Sequence, residues 1–175
     1  MSGLPQPPRA TIADYMTWEG DWELWDGVPV AMSPSPVDRH SAVVAELIYQ
    51  LKDALRGRSD CPCKVRTELD WHANESTVHR PDVMVLCGEP EGINYPQRPP
   101  ALIFEVLSPS TRERDRHHKR ERYAHFGVKN YFVVDPADRL LERLLGESDD
   151  RQSEAVTIHL HGGCTVTLPR ELPED

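Results

Sequence analysis

Two carboxylates stand where the sequence is otherwise apolar. Asp82 opens the run Pro81-Asp82-Val83-Met84-Val85-Leu86, and Glu105 sits inside Leu102-Ile103-Phe104-Glu105-Val106-Leu107. Such nearly continuous apolar runs are the pattern of strands covered on both faces, and a buried charge is costly unless it is paired or ligates a cation. Strand alternation puts Ile103, Glu105 and Leu107 on one face. Taken singly, Asp82 reads equally as a strand-end acid in water or paired with Arg80, and Glu105 as an acid on a solvent-open sheet face. On neighbouring strands the two would repel unless they shared a cation. A hard divalent ion with oxygen ligands meets that need, and Mg²⁺ is the common choice where the substrate carries phosphate.

Three further features could join them. In the helical segment 111–126, Arg112, Arg114, Arg116, Lys119, Arg120 and Arg122 outnumber Glu113, Asp115 and Glu121. The spacing of Arg112, Arg116, Lys119 and Tyr123 predicts one shared face. That face is either a solvated, ion-paired surface or a basic stripe meeting phosphates in the cleft of the acids. His40 lies four residues before Val44, at the head of an apolar helical stripe, as a part-core residue or a site residue. Glu23, between Trp22, Leu24 and Trp25, is a further acid or the open face of a hairpin.

The elements that must hold these groups follow from periodicity and punctuation. Asp26-Gly27 between two short strand-like runs predicts a hairpin, with Pro29 placing its second strand at an edge. Ser35-Pro36 opens a helix whose Val44, Leu47, Ile48, Leu51 and Leu55 form one apolar stripe, ending near Gly57. Strands are expected over 64–71, 81–87 and 101–107, then a proline-rich loop before the last of them. The capping pattern Ser110-x-x-Glu113 opens the basic helix. A strand at 130–135 and weaker ones near 140–145, 154–160 and 165–168 complete an α/β (α+β) chain, a mixed central sheet flanked by helices. Residues 1–10 read as a flexible lead, 11–170 as a single domain and 171–175 as a tail.

Composition bounds the function. The chain has 175 residues, 38% hydrophobic, with 20 Lys and Arg against 29 Asp and Glu, a net charge of -9. That balance disfavours a protein that coats nucleic acid non-specifically. No apolar run reaches the length of a membrane span and no export leader is visible, so a cytoplasmic location is expected. The four cysteines then read as reduced thiols, and Cys61-Pro62-Cys63 has the wrong spacing for a zinc half-site. Signatures of nucleotide-binding loops and serine hydrolases are missing.

The motifs Trp22-Glu23-Leu24-x-Asp26-Gly27, Ser33-Pro34-Ser35-Pro36-x-x-x-His40, Arg80-Pro81-Asp82-Val83 and Glu105-Val106-Leu107-Ser108-Pro109-Ser110 occur in order. They are continued by Asp115, Lys119, Tyr123, Gly127 and Val133-Val134-Asp135-Pro136. Over about residues 11–145 this resembles the Uma-type family of restriction endonucleases, within the PD-(D/E)XK nuclease superfamily. The resemblance implies a restriction-endonuclease-like fold and a divalent-metal phosphodiesterase centre using Mg²⁺, with Mn²⁺ able to substitute. Asp82 matches the acid of the Pro-Asp motif and Glu105 that of the (D/E)XK motif, with the Val106 carbonyl as an added metal ligand. Leu107 stands where the motif's lysine would, and Lys119 is the implied substitute on the following helix. Glu23 matches an N-terminal acid that assists metal binding, and His40 the family's histidine. Arg80, Ser108, Arg112 and Arg116 are the expected nucleic-acid contacts, the substrate is taken as DNA, and cutting a duplex implies a C₂ homodimer with its interface in the apolar strands after Asp135. The competing reading is a module of the same fold, catalytically decayed, that binds nucleic acid or protein.

Overall fold

The computed structural model describes residues 9–32, 38–88, 95–147 and 152–174. A short helix, α1 (Ile12–Tyr15), is capped reciprocally by the Thr11 and Asp14 side chains. Strands β1 (Trp22–Trp25) and β2 (Val28–Ala31) pair antiparallel across Asp26 and Gly27, whose φ angles are 49° and 80°. Two consecutive positive φ values are the primed turn that a two-residue hairpin requires. Gly27 is also needed sterically, since a Cβ there would lie 2.4 Å from that of Arg9. Pro29 lies in the edge strand, where its missing N–H is harmless.

Helix α2 (Asp38–Ala54) follows; its expected cap, Ser35-Pro36, lies outside the described residues. The strand expected over 64–71 is two strands. β3 (Cys63–Thr67) stops where Glu68 adopts φ 49°, and β4 (Trp71–Asn74) turns back as β5 (Thr77–His79). This second hairpin carries no glycine signal and its return strand has three residues, too short for periodicity to reveal. Together β2-β1-β5-β4 form a four-stranded antiparallel sheet.

The central sheet has the order β3-β6-β7-β8-β9, with β6 (Val83–Cys87), β7 (Leu102–Val106), β8 (Tyr131–Val134) and β9 (Leu141–Leu145). It is mixed, as expected: β7 and β8 are parallel and every other pair antiparallel. A parallel pair needs a crossover, supplied by a π-helical segment (Arg114–Lys119) that continues as α3 (Arg120–His125).

The sheet separates two cores. On one face Val43, Leu47 and Leu51 of α2 meet Val83, Val85, Leu102, Phe104, Val106, Phe132 and Val134. The antiparallel ribbon of β10 (Ala155–His159) and β11 (Thr165–Pro169) completes this core with Val156, Ile158, Val166 and Leu168, each at most 1% exposed. Of the apolar residues after Asp135 expected to form a dimer interface, those of this ribbon are therefore internal to the chain. On the other face Trp71, Met84, Ile103, Leu107, Tyr123, Val128, Tyr131 and Val133 pack together.

The cysteines correct the reduced-thiol expectation. Cys63 and Cys87 are directly opposed on β3 and β6 and form a disulfide, and Cys61 is bonded to Cys164, next to β11. The neighbouring Gly88 N–H donates to the Pro62 carbonyl, so the 63/87 pair is the closer, non-hydrogen-bonded kind, where side chains on facing strands meet. Among the described residues no helix is long and apolar enough to cross a membrane.

Candidate active site

The register of the central sheet builds the acid pair. Val83 is opposite Phe104, so one residue further Asp82 stands opposite Glu105 across the antiparallel β6–β7 pair. Their side chains share the face that carries Met84, Ile103 and Leu107. Glu105 is 3% exposed, which excludes the solvent-open alternative. Asp82 lies at the strand's open end, its side chain 25% exposed.

Each acid is held by specific donors. Asp82 Oδ2 accepts the Val106 N–H at 2.7 Å and lies 3.4 Å from His40 Nε2. The Asp82 carbonyl accepts the Thr67 hydroxyl at 2.8 Å, tying the strand end to β3. Glu105 Oε1 accepts Lys119 Nζ at 2.8 Å and the Tyr123 hydroxyl at 2.6 Å. Lys119 Nζ is also 3.5 Å from Asp115 Oδ1 and 3.9 Å from Glu23 Oε1. Glu23, on β1, faces the central sheet, accepting the Arg80 backbone N–H at 2.9 Å and the Trp25 indole N–H at 3.1 Å.

One buried ammonium therefore serves three buried carboxylates. Burial works against the charge on Lys119, yet Glu105, Glu23 and Asp115 outweigh it and raise its pKa. For Glu23 burial is likewise outweighed, by Lys119, His79 and the Arg80 N–H, and its pKa falls to about 2. Glu105 is left under-compensated: burial first, then Asp82, Asp115 and Glu23, hold its pKa well above the carboxylate range despite Lys119. His40 is held up in spite of burial by Asp82 and by the Val106 carbonyl.

A cleft of about 340 Å³ opens over this group. Asp82, Glu105, Val106, His40, Arg80, Ser108, Asp115 and Lys119 line it, and so do Asp21, Glu68, Thr111 and Arg114, which the sequence reading passes over as site residues. Glu23 lies behind Lys119 and not on the cleft wall. Arg80 is neutralised by Asp70 at 2.7 Å and Asp21 at 2.8 Å.

Arg112 and Arg116 do not share a face with Lys119 and Tyr123, contrary to the spacing argument. They pair with Asp135 at 2.6 Å and Glu142 at 2.7 Å in a separate depression on the β8–β9 side. The wider π turn rotates less per residue than an α turn, so residues four apart line up and those three apart diverge. The inward row is therefore Asp115, Lys119, Tyr123, all buried. Their regular spacing of four was the available signal for Asp115; nothing in the sequence announces the π winding.

The donor set can be tested for a metal on its own chemistry. The carboxylates of Asp82 and Glu105 and the carbonyl of Val106 are all hard oxygen donors, suited to Mg²⁺ or Mn²⁺ rather than zinc. Asp82 Oδ1 and Glu105 Oε2 receive no hydrogen bond among the described residues, and Asp115 Oδ1 is buried without one. Acid in excess of base, with oxygens left undonated, fits a divalent cation. No preformed cluster of three or more His, Cys, Asp or Glu ligands occurs among the described residues, so a carbonyl or water must complete the shell.

Residues 12–175 match the family model Uma2, described as "Putative restriction endonuclease". The chain belongs to this family. Among solved structures it is similar to "a putative nuclease belonging to DUF820 from Anabaena variabilis ATCC 29413", with a TM-score of 0.64 and 17% identity over 85% of this chain and 87% of that one. At that identity the likeness is one of fold, and it is the restriction-endonuclease-like fold the motifs implied. No curated protein matches. Uma2 membership makes the chain a nuclease in class, and its acids, lysine and histidine converge at the ends of β6 and β7.

Proposed function

We propose that this Uma2 chain is a divalent-metal-dependent endonuclease that hydrolyses phosphodiester bonds of DNA. The observation that carries the reading is the opposed pair Asp82 and Glu105, with the Val106 carbonyl beside them, under a cleft whose buried acids exceed its bases. Asp82, Glu105 and Val106 hold Mg²⁺ or Mn²⁺, and Glu23 supports the site from behind by sharing Lys119. A bound divalent ion there supplies Lewis-acid stabilisation of phosphate oxygens and a more acidic water.

The chain's own groups do the rest. Lys119, kept protonated by its three acids, presents a fixed positive charge beside Glu105, where the lysine of the motif would act from Leu107. That charge is pre-organised and opposes the negative charge that develops on the phosphate. Tyr123 donates to Glu105 Oε1 and so fixes which oxygen faces the cleft. His40, with its Nε2 3.4 Å from Asp82 Oδ2, sits beside that carboxylate and limits its orientations. Ser108, on the cleft wall, contacts the nucleic-acid backbone, while Arg80, held by Asp21 and Asp70, stiffens that wall. Cutting both strands calls for two such centres, and a C₂ homodimer supplies them.

The test is cleavage of plasmid, linear and single-stranded DNA, and of RNA, with Mg²⁺ or Mn²⁺, beside an EDTA control and Asp82→Ala. DNA cleavage that vanishes in both controls is the expected result. A folded wild-type chain that cuts none of the substrates, or cuts in EDTA, overturns the proposal. Salt-sensitive DNA binding without turnover would assign the chain to the binding-module class instead.

A further inference from the structure

Resting on that reading, we propose that Arg114 is the residue that receives a substrate phosphodiester in the cleft, with Thr111 and Ser108 beside it on the same wall. Arg114 lies in the π-helical segment and lines the cleft with Asp82, Glu105 and Lys119. The cleft's other cations are already engaged: Arg80 by Asp21 and Asp70, Lys119 by Glu105 and Asp115. The neighbouring helix arginines 112, 116 and 122 are each paired with a carboxylate at 2.6–2.7 Å.

Arg114 has no carboxylate partner among the described residues. Its Nε is buried without an acceptor, its Nη1 reaches only the Ala31 carbonyl at 3.4 Å, and its guanidinium lies 6.0 Å from the centre of the Trp25 ring. A bond of that length is weak, and a buried donor without an acceptor is costly. A planar guanidinium with free donors matches a phosphate in charge and in fork geometry. The Trp25 ring holds its face without neutralising it. Among the described residues, Arg114 is thus a preformed anion receptor beside the acids.

The experiment is fluorescence anisotropy with a labelled DNA duplex in Ca²⁺, over a series of salt concentrations, for wild type, Arg114→Gln, Arg114→Lys and Lys52→Gln. Lys52 is exposed on α2 and controls for the loss of one charge. Arg114→Gln is expected to bind about tenfold more weakly, the equivalent of one charge-assisted contact, with a salt slope shallower by about one. Arg114→Lys should restore the slope while recovering part of the affinity, and Lys52→Gln should match wild type. Wild-type binding with an Arg114→Gln of unchanged affinity and slope overturns this inference alone. So does weaker binding at unchanged slope, which marks a structural role. A wild-type chain that does not bind DNA overturns the functional reading and this inference with it.

Discussion

Strand β7 presents two faces of equal burial and opposite chemistry. Leu102, Phe104 and Val106 pack against α2 and the β10–β11 ribbon with no charge among them. Ile103, Glu105 and Leu107 face the crossover helix, where Glu105 is met by Lys119 and Tyr123. The apolar face stabilises the fold through area removed from water, about 1.5–3 kcal/mol for each large side chain fully buried. The other face gives up part of that stabilisation, since a buried ion pair recovers its desolvation cost only with good geometry and further hydrogen bonds. What it holds in return is a carboxylate fixed opposite Asp82.

Removing an acid from the charged face should abolish function and spare the fold. Asp82→Ala and Glu105→Gln are expected to lower the cleavage rate about 10³-fold or more, as expected when several kcal/mol of metal-derived stabilisation is lost. Urea unfolding of Glu105→Gln should show a change within roughly 1 kcal/mol, because the substitution also relieves crowding among the acids. Equal losses of rate and stability would erase the distinction between the faces.

Breaking the apolar face should do the reverse. Phe104→Ala is expected to cost about 3–5 kcal/mol of unfolding free energy, while the rate per folded molecule stays near wild type. Lys119→Met should cost a similar 3–5 kcal/mol, because it leaves buried acids without their cation. A Lys119→Met chain as stable as wild type would show that the acids are neutral in the folded protein. Tyr123→Phe removes one hydrogen bond to a charged group, worth about 1.5–3 kcal/mol, and urea unfolding reads that value directly.

The smallest effect is a pH dependence. His79 is buried beside Trp71, Tyr123 and Phe126, and burial holds its pKa below the ordinary value, against the pull of Glu23. The unfolded imidazole takes up a proton as pH falls past about 6.5 while the folded one resists. Stability from this group is therefore present above that pH and lost on acidification. His79→Gln should make the fall in stability between pH 7 and 5 shallower. His72, also held down by burial, keeps the slope from vanishing.

Much of this was legible in the residues, for reasons that differ from place to place. Glu105 announced itself because a single acid interrupts a strict apolar run, and Asp26-Gly27 because only a primed turn demands that pair. The partners of those acids were harder. Lys119 followed from the motif resemblance, whereas Arg112 and Arg116 were misplaced because helical spacing assumes α winding. The β4–β5 hairpin was invisible for want of length and turn glycine. The disulfides depend on which cysteines the sheet register brings face to face, which spacing along the chain does not encode. Arg114 stands out through what its neighbours already hold, a property of the folded cleft alone.

The central claim is that Asp82 and Glu105 form one metal site. Its most direct test is calorimetric titration of Mn²⁺ into wild type, Asp82→Ala and Glu105→Gln, with DNA cleavage measured on the same preparations. Wild type is expected to bind Mn²⁺ and cut, and each variant to lose both together. Mn²⁺ binding of wild-type strength in either variant, or wild-type cleavage by one that no longer binds the ion, would contradict it.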